Sequence, residues 1–167
     1  MERFDTVIAR AVDRVRSPGL DRVVYPLSSA ADHSILWHMC GVLRALARDG
    51  DVEYAARFSA AMGVESALTN GPIKMLFRRV RPVDYDEVDF RSGLRRPVTS
   101  SFPSGHATAA FCAATLFDDG PAWYLAAAAV GGTRIYVRLH HASDVVAGAA
   151  LGVALGLGLR RTLLRGR

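Results

Sequence analysis

Apolar positions recur with a helical period at the start of the chain. Phe4, Val7, Ile8, Ala11, Val12 and Val15 trace one face of a helix, while Arg3, Arg10, Arg14 and Arg16 fall elsewhere. Ser17-Pro18-Gly19 punctuates the segment. Residues 1–22 therefore read as an amphipathic N-terminal helix suited to a membrane interface, although a surface helix on a soluble domain has the same pattern. Residues 30–48 form a second helical segment. Residues 52–79 form a third, interrupted by Asn70-Gly71-Pro72. From 83 to 102 the chain turns polar, with Gly93 and Pro97, and reads as a loop too long to be mere connection. Segments 103–118, 121–139 and 143–160 are apolar, rich in Ala and Gly, and separated by sharp turns such as Asp118-Asp119-Gly120-Pro121.

Uninterrupted apolar runs stop short of the roughly 18 residues that announce a spanning helix. Small residues compensate. Gly152 and Gly156 lie four apart on one face and allow close helix packing, in a bilayer or in a soluble bundle. The expected fold is all-α: a polytopic membrane bundle of about five spanning helices plus the interfacial N-terminal helix. One domain covers 1–167, with the 83–102 loop on the active-site side.

Composition narrows the partners only partly. Half of the residues are hydrophobic, the net charge is +5 and the pI is near 9.8. Such a balance suits nucleic acid, anionic lipid or phosphorylated substrates. Cys40 and Cys112 lie in apolar stretches without metal-ligand spacing and read as small buried hydrophobes. The first 17 residues carry charge where a signal peptide needs an apolar stretch.

Three clusters carry candidate chemistry. Lys74, the single lysine among 21 basic residues, stands seven before Arg81. On an ideal helix the two share a face two turns apart, with Arg78 between them. Pro82 then pushes Arg81 out of helical geometry, so the pair can converge on one anion. Next, Pro103-Ser104-Gly105-His106 reads as a turn feeding a helix. Ser104 caps it, Gly105 lets an anion approach the free N–H groups, and His106 overlooks the same spot. Third, Arg134 offers a planar fork for phosphate, and His140 and Asp144 stand four apart, on one face if helical. A carboxylate on one imidazole nitrogen leaves the other free as a nucleophile. His141, three before Asp144, competes for that role. Two histidines and an aspartate also make a metal-ligand set, but three cations nearby favour an anion. The inventory suits phosphoryl transfer.

These blocks resemble the type 2 phosphatidic acid phosphatase (PAP2) superfamily, which also contains vanadium haloperoxidases. Its pattern is K-x6-RP, PSGH and SR-x5-H-x3-D. Lys74, Arg81 and Pro82 match the first block, Pro103 to His106 the second, and Arg134, His140 and Asp144 the third, with Thr133 where serine is usual.

The resemblance implies a phosphatase with a haloperoxidase-like helical core. His140 rather than His141 falls in the nucleophile position, Asp144 orients it, and His106 serves as acid and base. Lys74, Arg81, Arg134, Ser104 and the Gly105 N–H hold the phosphate, with Thr133 as an auxiliary. No cofactor or metal is implied, and no nucleic-acid partner. Within the small membrane-bound bacterial branch, which residues 31–37 also resemble, the implied substrate is a lipid phosphate in the inner membrane. A polyprenyl-linked sugar phosphate of cell-wall synthesis comes ahead of a polyprenyl pyrophosphate or phosphatidylglycerophosphate. A vanadium haloperoxidase, a soluble acid phosphatase and a non-enzymatic basic membrane protein are the competing readings. On this topology the chain ends at 79, 103, 139 and 143 share one face, which the arginines of the first helix turn toward the cytoplasm. Arg78 and Arg79 are expected to matter less than Lys74.

Overall fold

The computed structural model describes residues 1–47, 50–83 and 99–164. Most of the expected 83–102 loop, residues 84–98, lies outside the described residues. The described residues are helical, without strands: α1 (Glu2–Val15), α2 (Pro18–Ala30), α3 (Ile35–Leu46), α4 (Val52–Leu68), α5 (Gly105–Phe117), α6 (Pro121–Tyr136) and α7 (Ala142–Leu159).

The N-terminal segment is two helices, not the single one expected over 1–22. Arg16 is extended, Ser17 accepts a bond from Leu20 N at 3.3 Å, and Pro18 opens α2. The Ser-Pro-Gly punctuation is thus a start as well as a stop, since proline fits the first turn, where its missing N–H leaves nothing unpaired. A short 3-10 turn, Asp32–Ser34, leads into α3.

The expected helix over 52–79 is shorter too. After Leu68 the chain widens into a π turn over Thr69–Ile73, with a kink at Gly71, and residues 77–81 leave the helix. Lys74 and Arg81 consequently do not share a helical face. They converge because the chain turns between them.

The core is the α5–α7 pair. α5 is buried almost all round, and α7 lays Gly148, Gly152 and Gly156 against it. An ideal Cβ on Gly152 would stand 2.3 Å from Thr108 O, and one on Gly148 2.5 Å from Ser104 O. Glycine is thus required for the two backbones to approach this closely. The expected Gly152/Gly156 face is present and extends one turn further. α3, α4 and α6 pack around this pair through Trp37, Phe58, Met62 and Val130, with Phe58 stacked on Phe117 of α5 at 4.8 Å. At the end away from the candidate chemistry, Arg44 pairs with Asp119 and Arg160 with Asp118.

The outer surface is apolar as well. On α3, Trp37, Gly41 and Ala45 face inward, while Met39, Val42, Leu43 and Leu46 face out. Leu125, Val146 and Leu157 extend this exposed apolar surface over α6 and α7. By length and composition one segment, Ala142–Thr162, is long and apolar enough to cross a bilayer (21 residues, mean hydropathy 1.7). α3 and α5 are apolar but short, so five spans of full length are not present among the described residues.

Candidate active site

The three motif clusters meet at one end of the bundle. Ser104 N donates to Asp144 O at 3.0 Å, tying the start of α5 to the start of α7. Ser101 N donates to Arg79 O at 3.0 Å, and Arg81 Nη1 donates to Leu139 O at 2.7 Å, which draws the segment after α4 against the α6–α7 connection.

His140 lies in that connection, just before α7, and is buried. Its backbone N–H, like that of Leu139, folds back onto Arg134 O at 3.1 Å. Nδ1 donates to the Ser101 carbonyl at 2.8 Å, and Nε2 accepts from Arg81 Nη1 at 3.0 Å. A carbonyl only accepts and a guanidinium only donates, so these partners fix the Nδ1–H tautomer and leave the lone pair on Nε2. Burial pushes the imidazole down to about 3. Asp144 pulls the other way, and Arg81, Arg134 and Lys74 push it further down. His140 is therefore neutral and nucleophilic at physiological pH.

Asp144 stands one step back from the role expected of it. Oδ2 is 3.7 Å from His140 Nδ1, and the nearer acceptor is Ser101 O. The carboxylate takes Ser101 Oγ–H and the His141 N–H (2.9 Å) on Oδ2, and Arg79 Nη1 on Oδ1. The i, i+4 proximity of His140 and Asp144 arises at the helix N-terminus, not along a helical face. His141 is the N-cap of α7, and its imidazole turns to Val80 O at 3.3 Å.

Of the cations, Lys74 is buried and reaches Thr99 Oγ1 at 3.4 Å, while Arg81 Nη2 takes the Thr99 and Ser100 carbonyls at 3.2 and 3.1 Å. Burial, and then the charges of Arg81 and Arg134, push the Lys74 ammonium down to about 8. A Cβ at Gly105 would sit 3.5 Å from Lys74 Nζ, so the missing side chain opens the space between the lysine and the α5 N-terminus. Ser104 caps that helix, accepting from Ala107 N at 3.5 Å. Arg134 is anchored by Ser28 Oγ at 2.6 Å, and its buried Nε has no partner among the described residues. Thr133 donates its hydroxyl to Val130 O at 2.7 Å, within its own helix.

Two further contacts escaped the sequence reading. His106 Nε2 lies 2.6 Å from Asp32 Oδ1, which is also 3.8 Å from Arg134 Nη1. Arg79, expected to matter as little as exposed Arg78, binds Asp144, Ser143 and Asp5. The arrangement presents a neutral nucleophilic imidazole, a second imidazole with its own carboxylate, three cations and an open helix N-terminus, which are the parts phosphoryl transfer needs.

The family model of the PAP2 superfamily matches residues 54–118 and 120–166. Decaprenylphosphoryl-5-phosphoribose phosphatase of Mycobacterium tuberculosis is 34% identical over 154 residues, covering 87% of this chain and 80% of its own. Lipid A 1-phosphatase of Porphyromonas gingivalis is 42% identical over 66 residues, 34% of this chain and 15% of its own. The transmembrane PAP2-type phosphatidylglycerolphosphate phosphatase of Bacillus subtilis shares the fold with a TM-score of 0.72 at 24% identity, covering 98% of this chain and 87% of its own. By sequence match and by fold, the chain belongs to the PAP2 superfamily and is a phosphatase.

Proposed function

We propose that this protein is a multi-pass membrane lipid phosphatase that works through a phosphohistidine on His140. The observation that carries the mechanism is the placement of His140. Its Nδ1–H is spent on Ser101 O, and its Nε2 lone pair faces Arg81. The Nε2 lone pair attacks phosphorus, and the bond to the leaving oxygen breaks with its electron pair. His106, paired with Asp32, gives that oxygen a proton. His106 then takes a proton from water, whose oxygen attacks phosphorus. The P–N bond breaks, returning neutral His140 and inorganic phosphate. Lys74, Arg81, Arg134, Ser104 and the Gly105 N–H hold the phosphoryl oxygens as charge develops. Asp144 favours the cationic imidazole of the intermediate across 3.7 Å.

The exposed apolar surface over α3, α6 and α7 supports residence in a bilayer, since a water-facing surface of that extent is a liability. α1, with Phe4, Val7 and Val15 exposed, suits the interface beside the site. For the substrate, the Mycobacterium tuberculosis relative supports a polyprenyl-linked pentose phosphate, hydrolysed as a phosphomonoester.

Free-phosphate release from purified lipids, with EDTA present, tests this reading. The panel is decaprenylphosphoryl phosphoribose, undecaprenyl pyrophosphate, phosphatidylglycerophosphate and phosphatidic acid. The expected result is fastest turnover of the first and none in His140→Ala. Full activity in His140→Ala overturns the mechanism, and preference for another lipid overturns the substrate.

A further inference from the structure

The inference concerns what holds Asp144, and it rests on the reading of His140 as nucleophile. Among the residues of α1, Asp5 alone is buried, at 7% exposure, while the apolar side chains Phe4, Val7 and Val15 stay exposed. Val12 packs against the cluster of Tyr25, Tyr136, Val137 and Leu139, so α1 docks through part of its apolar face together with this buried carboxylate. Asp5 Oδ1 accepts the Ser143 N–H at 2.8 Å, and Oδ2 accepts Ser143 Oγ–H and Arg79 Nη2, each at 2.7 Å. Burial alone would raise this carboxyl, but Ser143 and Arg79 outweigh it and hold it below its usual value. Arg79 uses its other arm on Asp144 Oδ1 at 2.5 Å and on Ser143 Oγ at 2.7 Å. One guanidinium thus bridges a carboxylate of α1 and the carboxylate beside the nucleophile, and Ser143 closes the ring.

We propose that Asp5 and Arg79 are positioning residues for the Asp144–His140 pair, which makes α1 part of the catalytic frame and not only a membrane contact. Arg79 fixes the plane of the Asp144 carboxylate by claiming Oδ1, which presents Oδ2 to Ser101, the His141 N–H and His140. Asp5 in turn fixes Arg79, whose planar fork has only one orientation that serves both carboxylates. Both Arg79 nitrogens Nη1 and Nη2 are committed to Asp144, Ser143 and Asp5, so the loss of either residue should appear in turnover and not in substrate binding.

The test uses the full chain in detergent micelles, with dioctanoyl phosphatidic acid and p-nitrophenyl phosphate as probes. The variants are Arg79→Ala, Arg79→Lys, Asp5→Asn and the double Asp5→Asn/Arg79→Ala, with His140→Ala as reference. Arg79→Ala is expected to lower kcat on the order of 10- to 100-fold, the scale of an ångström misplacement in an active site, with KM unchanged. Arg79→Lys recovers part of the loss because the charge returns without the fork. Asp5→Asn lowers kcat less, and adds no further loss to Arg79→Ala, since both act through one contact. Wild-type kcat in Asp5→Asn and Arg79→Lys, with only Tm lowered, makes the ring merely structural and overturns the proposal. A raised KM with unchanged kcat makes Arg79 a substrate contact and also overturns it. Should Arg79→Ala not fold, the Arg79→Lys and Asp5→Asn comparison decides alone. Activity in His140→Ala would instead sink the underlying mechanism, which keeps the two failures apart.

Discussion

Lys74 holds its charge against its surroundings, and that can be measured. Its ammonium is 8% exposed, sits near Arg81 and Arg134, and has Thr99 Oγ1 at 3.4 Å as a hydrogen-bond partner. Its proton affinity falls from the ordinary 10.5 to about 8, chiefly through burial. At 1.36 kcal/mol per pKa unit, the charged form is penalised by about 3 kcal/mol. Lys74→Met removes the charge and keeps an unbranched apolar stem. In anion-free buffer at pH 7 the variant is therefore expected to be more stable, with about 3 kcal/mol as the ceiling, or a Tm gain of up to about 10 °C. Sulfate, which does not titrate near neutrality, should stabilise the wild type and leave Lys74→Met almost unmoved. The pH dependence follows from linkage. Between about 8 and 10.5 the unfolded chain binds more protons at this lysine than the folded one, so wild-type stability rises with pH in that window. Sulfate affinity falls over the same window, and subtracting the Lys74→Met curve isolates both effects. Thermal unfolding by intrinsic fluorescence in micelles, with and without sulfate, gives all three readouts. A Lys74→Met protein less stable than wild type without anion, or sulfate protection equal in both, refutes the reasoning.

Helix packing gives a second prediction. Gly152→Ala should destabilise by about 1–3 kcal/mol, because its Cβ meets Thr108 O at 2.3 Å. Gly158→Ala, on the same helix with nothing within 4 Å, should be neutral or mildly stabilising, and thermal unfolding of the pair checks it. Lys74→Arg should keep the fold but lower kcat for phosphate release, since a flat fork replaces a compact ammonium in a buried slot, whereas Arg78→Lys on the exposed surface should match wild type. Asp32→Asn should slow a lipid phosphate, whose alkoxide must be protonated, more than p-nitrophenyl phosphate, which leaves without help. Equal slowing on the two substrates would dissociate Asp32 from the acid step.

Much of the site was legible because its chemistry is written in short spacings. His140 and Asp144 are four apart, and Ser104 to His106 are contiguous, so local geometry brings them near without knowledge of the fold. Even there the sequence misjudged the cause, since a helix N-terminus and not a helical face joins His140 to Asp144. The same holds for Lys74 and Arg81, which converge because the chain leaves the helix between them, at residues 76–81. What escaped altogether were the pairings between Asp32 and His106 and between Asp5 and Arg79, each 74 residues apart in sequence. Asp5 did leave a trace. It lies three before Ile8 and seven before Val12, a carboxylate on the inner side of an otherwise apolar stripe. Asp32 left less, because an aspartate ahead of a helix reads as an ordinary cap. Burial and partner choice are set by tertiary packing, which spacing does not encode.

Those missed residues share a location. Asp5, Ser28 and Asp32 all precede residue 54, where the match to the family model begins. The matched part supplies the proposed nucleophile, the cations and the helix N-terminus from the tightly packed α5–α7 pair and its neighbours. The unmatched N-terminal elements then wrap the same end of the bundle. Ser28 anchors Arg134, Asp32 claims His106 Nε2, and Asp5 reaches Arg79. The two halves have different demands on them. A nucleophile and its phosphate cradle meet the same PO3 group in every substrate, so a rigid core can hold them fixed. An acid that protonates the leaving oxygen meets whatever alcohol or phosphate departs, so its support must suit one leaving group. On this division, exchanging residues 29–34 with those of a relative acting on another lipid, which keeps Asp5 and Ser28 in place, should shift turnover across the lipid panel more than it changes turnover of p-nitrophenyl phosphate, whose leaving group needs no proton. An altered order of lipid turnover, beside p-nitrophenyl phosphate hydrolysis near the wild-type rate, is the outcome that the division of labour requires.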